Sequence, residues 1–544
     1  MGNKETKSRS RFISGVFALT AANLFVKIVG LILKIPLRGI LTDGGMAYYN
    51  NAYEIYAFFF TVSTVGLPTA VAMLISEDRA KGNKKEIKKI YKVAMLLFVI
   101  VGFIGTCAMF FGAPLFEDAY KIDKSAYCIM AVAPTLFFIC VASALRGYFQ
   151  GYQNMVPTAV SEVIEAIGKM ALGLLFAHYA VSKGEPIHIV AAYAALGLTV
   201  GVAAGALFLI IRKLLFRPSS FDTEYGNIED NSLEVRGTGK LIRTLVMIAI
   251  PITLSSSVMS FSTMLDGMIL SRGLQGIGYT EDAVKEMIGN YKTCATPISN
   301  IILALVAPIT ASIIPLISST RASGDKKRVE SIMYSTLRVT VILILPCVLG
   351  IAVLAKPIIT LLFNDKTAAD KAGPLLSILA VSVFFMSMIQ VSAAILQSHK
   401  LEKKPIISVA AGAVSKVVVT YALVSIPALN IKGSPLSSII SSFVISAMNF
   451  YFIGKHIGFK PNFIKIVFRP LLAATLCALT AGGCYGLLEK YVGNAASIVV
   501  AIGAAMVVYG ISIFLIKAVG REDVELLPKG KKLAALLTKM RLLR

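Results

Sequence analysis

Leu74–Lys85 reads LISEDRAKGNKK and Leu316–Lys327 reads LISSTRASGDKK. The second copy begins 242 residues after the first, and each copy closes one apolar run and precedes another. The surrounding chain explains why a basic dodecapeptide recurs there. Of 544 residues, 56% are hydrophobic and 15% are charged, which is more apolar than ordinary soluble domains. Such a chain belongs in a bilayer. Its formal charge of +24 falls in short clusters between apolar runs rather than in one patch on a polar fold. This is a topology signal and excludes nucleic acid as a partner.

A helix needs about 20 apolar residues to cross the hydrocarbon core. Fourteen segments between residues 12 and 517 qualify, which predicts an all-α polytopic membrane protein with about 14 transmembrane helices. The first, 12–35, follows MGNKETKSRSR and reads as an uncleaved span, because it is too long for a signal peptide and has no small-x-small cleavage site. Lys and Arg then crowd alternate loops: Arg79 to Lys89, Arg212 to Arg217, Arg321 to Arg328, Lys400 to Lys404, Lys455 to Arg469, and the tail. The loops between them, such as FEDAYKIDKS (116–125) and YTEDAVKE (279–286), are balanced or acidic. The positive-inside rule therefore puts both termini in the cytoplasm of a bacterial cell, with the chain in the plasma membrane.

Both dodecapeptides fall on that basic side, after spans two and eight. A second pair agrees. RGYFQGYQNMVPTAVSEVIEAIGK carries Gln150 and Lys169, and AAILQSHKLEKKPIISVAAGAVSK carries Gln397 and Lys416, each pair 19 residues apart and the pairs offset by 247. Two six-helix lobes are thus duplicated in parallel, a plan used by transporters whose halves rock about a midplane site. The expected organisation is an N-terminal lobe at 1–217, a cytoplasmic linker at 218–240, a C-terminal lobe at 241–458, helices 13 and 14 at 459–517, and a basic tail at 518–544.

These segments and the 6 + 6 + 2 plan resemble the multidrug/oligosaccharidyl-lipid/polysaccharide exporter superfamily. Within it they resemble the branch of stage V sporulation protein B, close to MurJ-type lipid II flippases. The resemblance implies a pair of six-helix lobes that carries an undecaprenyl-pyrophosphate-linked sugar, lipid II or a related envelope precursor, from the inner to the outer leaflet.

Ionisable residues inside spans are costly and mark candidate sites. In FISGVFALTAANLFVKIVGLILKIPLRGI, Lys27 and Lys34 are seven residues apart and Arg38 follows four later, so all three share one helix face. No acid inside that span neutralises them. A row of unpaired cations suits a translocated pyrophosphate, whose desolvation without counter-charge is prohibitive. Snorkelling to the interface is the competing reading, strongest for Lys34 and Arg38. Lys292, at the head of span eight in NYKTCATPISN, carries the same two readings. The family resemblance favours Lys27, followed by Gly30, and Lys292, just before Pro297, as substrate contacts. It also implies a cation inside span two, where this chain has Glu54 and tyrosines instead.

Other buried charges read as structural or coupling groups. Glu165 and Lys169 are four apart with the acid first, the order that favours mutual neutralisation on a helix, and Glu162 lies one turn earlier. Asp266 and Lys416 sit on separate helices. They are expected either to pair, or Asp266 couples transport to a cation. Seven scattered cysteines without CxxC spacing, and four histidines near span ends, provide neither a metal site nor a disulfide framework. No cofactor is implied, and the drive stays open between sodium or proton coupling and the membrane potential. No nucleophile elbow, HExxH or phosphate loop occurs, so a transporter is expected rather than an enzyme. A drug/cation antiporter, and a scaffold for envelope-synthesis proteins, are the alternatives.

Overall fold

Gly82 and Gly324 both adopt left-handed backbone, with φ of 76° and 80°. A side chain would be strained there, and each glycine is followed by a helix N-cap. Asn83 accepts from the Glu86 amide at 3.1 Å and Asp325 from the Arg328 amide at 3.0 Å. Thus the two dodecapeptides fold into the same turn, 242 residues apart. The second repeated pair behaves alike: the Gln153 amide donates to the Gln150 carbonyl and the Lys400 amide to that of Gln397 (2.8 and 2.9 Å), with φ of 60° at both Gln153 and Lys400.

The computed structural model describes residues 2–215, 235–322 and 324–516. The tail at 518–544 and most of the expected linker lie outside them. The described residues are helical and contain no strand, so the protein is an all-α, multi-pass membrane protein.

Two compact units divide the chain, Met1–Gly289 and Asn290–Arg544. The first holds α1 (Gly2–Thr64), α2 (Gly66–Ala80), α3 (Lys84–Phe111), α4 (Ala113–Tyr120), α5 (Ala126–Val132), α6 (Thr135–Gly151), α7 (Val156–Ser182), α8 (Ile187–Leu215), α9 (Thr238–Gly276) and most of α10 (Glu281–Asn290). Its core runs from Leu33 and Leu37 through Ile55, Phe98, Leu136 and Phe149 to Leu209 and Leu245. The second unit begins with a π-helical turn, Tyr291–Ala295. It continues through α11 (Thr296–Ala304), α12 (Ala307–Ala322), α13 (Lys326–Phe363), α14 (Lys366–Ser398), α15 (Lys403–Val424), α16 (Gly433–Ile457) and α17 (Phe463–Leu515), with Ile317, Leu337, Val341, Val391 and Ile395 at its centre.

Among the described residues ten helices are long and apolar enough to cross a membrane, or eleven counting one bent pair, rather than fourteen separate rods. Three local causes account for the difference. α1 and α17 each run through a break, at Thr42 and at Gly493, where sequence periodicity expects two spans. α9 bends by 42° between Leu254 and Ser256. And α7 carries Glu162, Glu165 and Lys169 through its middle and is not among the ten.

Candidate functional site

The cations of α1 have three different surroundings. Lys27 is exposed on the apolar rod, and among the described residues it makes no hydrogen bond or ion pair. Lys34 donates to Asn50 Oδ1 at 3.0 Å. Arg38 forms a two-pronged pair with Asp43, Nε to Oδ1 at 2.5 Å and Nη2 to Oδ2 at 3.0 Å. The expected row of unpaired cations is therefore corrected for Arg38. Thr42 breaks the helix with φ 60° and ψ 178°, a conformation that is nearly glycine-only, and this reversal brings Asp43 back to the guanidinium. The neutralising acid lies just beyond the span, where a scan of the span itself does not look.

Beside this break a cavity of about 350 Å³ is lined by Asp43, Tyr48, Asp282, Lys285 and Glu286. Lys285 donates to the Tyr48 hydroxyl at 3.2 Å and pairs with Asp282 at 2.7 Å.

A polar layer crosses the interior of the same unit. Glu165 pairs with Arg146 of α6, whose Nε also donates to Ser161 Oγ at 3.1 Å. Lys169, the partner expected from helix spacing, instead holds its ammonium 4.4 Å from the centre of the Tyr53 ring. Packing explains the choice. Gly197, Gly201 and Gly205 form one stripe on α8 against α7; a Cβ on Gly201 would lie 2.6 Å from the Lys169 amide nitrogen, and one on Gly205 2.6 Å from Glu165 Cγ. The close approach leaves Glu165 beside α6, where Arg146 waits. Glu162 Oε2 is buried and has no hydrogen-bond partner among the described residues. Glu54 accepts from the Tyr120 hydroxyl at 3.3 Å, and Asp266 is buried on α9. Arg146 was missed from the sequence; its position in an apolar segment opposite two acids on the next helix was the available signal.

In the second unit Lys292 is buried within the π-helical turn, a local irregularity often found at functional sites. Lys416 is half-buried on α15. Asp266 and Lys416 belong to different units.

At the basic-loop end of the first unit, Arg236 reaches both ends of the first dodecapeptide region. Its guanidinium pairs with Asp78 and with Glu86 (2.7 Å), its amide donates to Glu86 Oε2 at 3.1 Å, and its carbonyl accepts from Lys89 Nζ at 2.5 Å. Both acids are buried.

Comparison with known proteins places this geometry in a family. Residues 12–321 match the model of the polysaccharide biosynthesis protein family, and residues 292–422 match MatE. The lipid II flippase MurJ of Bacillus subtilis (strain 168) is 25% identical over 506 residues, 89% of this chain and 88% of that one. Stage V sporulation protein B of the same organism is 22% identical over 531 residues, 96% and 98% of the two chains. Among solved structures, an inward closed conformation of lipid II flippase MurJ superposes with a TM-score of 0.63 at 14% identity, over 91% of this chain and 98% of that one. An inward-facing multidrug resistance MATE family transporter of the MOP superfamily gives a TM-score of 0.65 at 14% identity, over 80% and 94%. The two structures share the fold.

Proposed function

The chain belongs to the polysaccharide biosynthesis protein family of the MOP superfamily, and from this premise we propose that it flips an undecaprenyl-pyrophosphate-linked sugar, lipid II or a related envelope precursor, from the inner to the outer leaflet. The observation that carries the reading is Lys27. An exposed ammonium on an apolar rod, with no ion pair among the described residues, is costly in a bilayer unless an anion uses it. Buried Lys292 is the second contact, and Lys34 adds a hydrogen-bonded cation to the same helix face. Lys169, held over Tyr53, supplies a positive group beside the second rod of α1, where the family pattern expects a cation.

Alternating access between the duplicated lobes, 1–217 and 241–458, delivers the headgroup while the lipid tail stays in the bilayer. Both termini and the basic loops are cytoplasmic in the plasma membrane. A potential negative inside favours outward movement of an anion by about 2.3 kcal/mol per charge per 100 mV, so the potential drives export to the extent that net charge crosses. Cation coupling through Asp266 or Glu162 is a subsidiary part of the same reading.

The test is translocation of fluorescent undecaprenyl-pyrophosphate-sugar in proteoliposomes, parent against Lys27→Ala at matched insertion. Activity in the parent with a loss of ten-fold or more in the variant is expected, since one charge-assisted contact is worth roughly 1.5–3 kcal/mol. A fully active variant removes Lys27 from the path; an inactive parent removes the substrate assignment.

A further inference from the structure

Lys213, near the end of α8, holds its ammonium 4.2 Å from the centre of the Tyr148 ring and 5.1 Å from that of Tyr91. The two rings meet edge to face at 5.2 Å, and Tyr152 continues the cluster 5.0 Å from Tyr148. Three helices, α3, α6 and α8, thus build one aromatic cage around a half-buried lysine. The cage offers the ammonium two π faces, and among the described residues Lys213 makes no hydrogen bond or ion pair to a carboxylate, hydroxyl or carbonyl. The charge of Lys88 acts on it repulsively. Among the described residues, then, a half-buried ammonium with three donors has a like-charged neighbour and no acceptor, an arrangement suited to an anion.

The surroundings identify the anion's carrier. Leu214 and Leu215 are 79% and 68% exposed, and Leu96 and Ile211 add further exposed apolar surface on α3 and α8. Lys88 and Lys92, four residues apart, are exposed on the face of α3 that bears Tyr91. A cation between interfacial tyrosines, with bare apolar side chains beside it, matches the phosphate of a lipid whose acyl chains lie along α3 and α8.

We propose that Lys213, caged by Tyr91 and Tyr148 and assisted by Lys88, binds the phosphate of an anionic phospholipid at the basic-loop end of the first unit. The site is separate from the α1 cations, and its occupancy does not depend on which substrate is carried. It holds a resident lipid against the three-helix junction, so that bilayer composition acts on this lobe.

Native mass spectrometry of the full chain in neutral detergent, titrated with dioleoylphosphatidylglycerol or dioleoylphosphatidylcholine, tests the site. The parent is expected to retain phosphatidylglycerol preferentially. Lys213→Gln should lower that retention about five-fold, the worth of one interfacial cation, while Lys213→Arg keeps it and phosphatidylcholine retention does not change. Excess inorganic phosphate should not displace the lipid. If Lys213→Gln is not monodisperse, Lys88→Gln, on an exposed position, carries the test with an expected two-fold reduction. Undiminished phosphatidylglycerol binding by these variants overturns the site. Displacement by inorganic phosphate overturns its assignment to a lipid.

Discussion

Arg146→Gln is the sharpest test of the interior polar layer. The side chains of Arg146 and Glu165 are 11% and 15% exposed, so the substitution leaves a nearly buried carboxylate without its counter-charge, and breaking such a pair by removing one partner costs about 3–5 kcal/mol. The hydrogen bond to Ser161 is lost as well, about 1 kcal/mol. Two acids, Glu162 and Glu165, face the one arginine, which makes the two single variants unequal. Glu165→Gln leaves Arg146 with Glu162 still near enough to attract it and should cost about 1–2 kcal/mol. Arg146→Gln strands both acids. The double variant replaces the pair by two amides and should recover part of the Arg146→Gln loss, a coupling of about 2 kcal/mol. Thermal unfolding of the detergent-solubilised protein gives the order directly. A shift of several degrees for Arg146→Gln, a smaller one for Glu165→Gln and an intermediate double are expected. Equal, additive single effects would show that the pair contributes no coupling and refute the reasoning.

Arg236→Ala strands two acids that are almost wholly buried, Asp78 and Glu86; about 3 kcal/mol of destabilisation is expected, read as faster hydrogen exchange in peptides covering 80–90, with unchanged exchange there counting against the clasp. Gly201→Val places carbon where only 2.6 Å separates its Cβ from the α7 backbone, so α7 and α8 must part. A severe loss of folded yield is expected on size-exclusion chromatography, and a normal yield would reject the close approach. His399, just past α14, is held below the ordinary imidazole range chiefly by burial, with Arg321's charge adding to it against the hydrogen bond to the Ile395 carbonyl. Its folded form resists protonation, so stability fully present above the unfolded value of about 6.5 is lost as pH falls from there through the lower folded value. His399→Gln should flatten the thermal midpoint between pH 7 and pH 5, and an unaltered slope would exclude His399 as its source.

Much of this architecture is legible without coordinates because the bilayer restricts the choices: an apolar run must be helical, and loop charge alternates with side. The repeat is legible for a local reason, since Gly82 and Asn83, like Gly324 and Asp325, are demanded by a turn and a cap that depend on neighbours in sequence. What hid were partners set by tertiary packing. Helix spacing pairs Glu165 with Lys169, but the glycine stripe of α8 brings α7 in so closely that Arg146 takes the acid and Tyr53 the lysine. The Arg38–Asp43 pair hid for a different reason. It depends on a threonine in a backbone region that threonine seldom occupies, and no propensity foretells that.

The same division explains why the two dodecapeptides share a shape and differ in chemistry. Positions that build the turn carry equivalent residues in both copies, glycine followed by Asn83 or Asp325. Positions that hold Arg236 do not: at the same 242-residue offset Asp78 corresponds to Thr320 and Glu86 to Arg328. The turn needs only its glycine and its cap in either copy, whereas Asp78 and Glu86 answer to a partner 158 and 150 residues away in sequence. Arg236 lies directly before α9 and pairs with the loop of the first copy alone among the described residues. Asp78 near the end of α2 and Glu86 at the start of α3 thus hold the chain entering α9, whereas the turn between them depends only on Gly82 and Asn83.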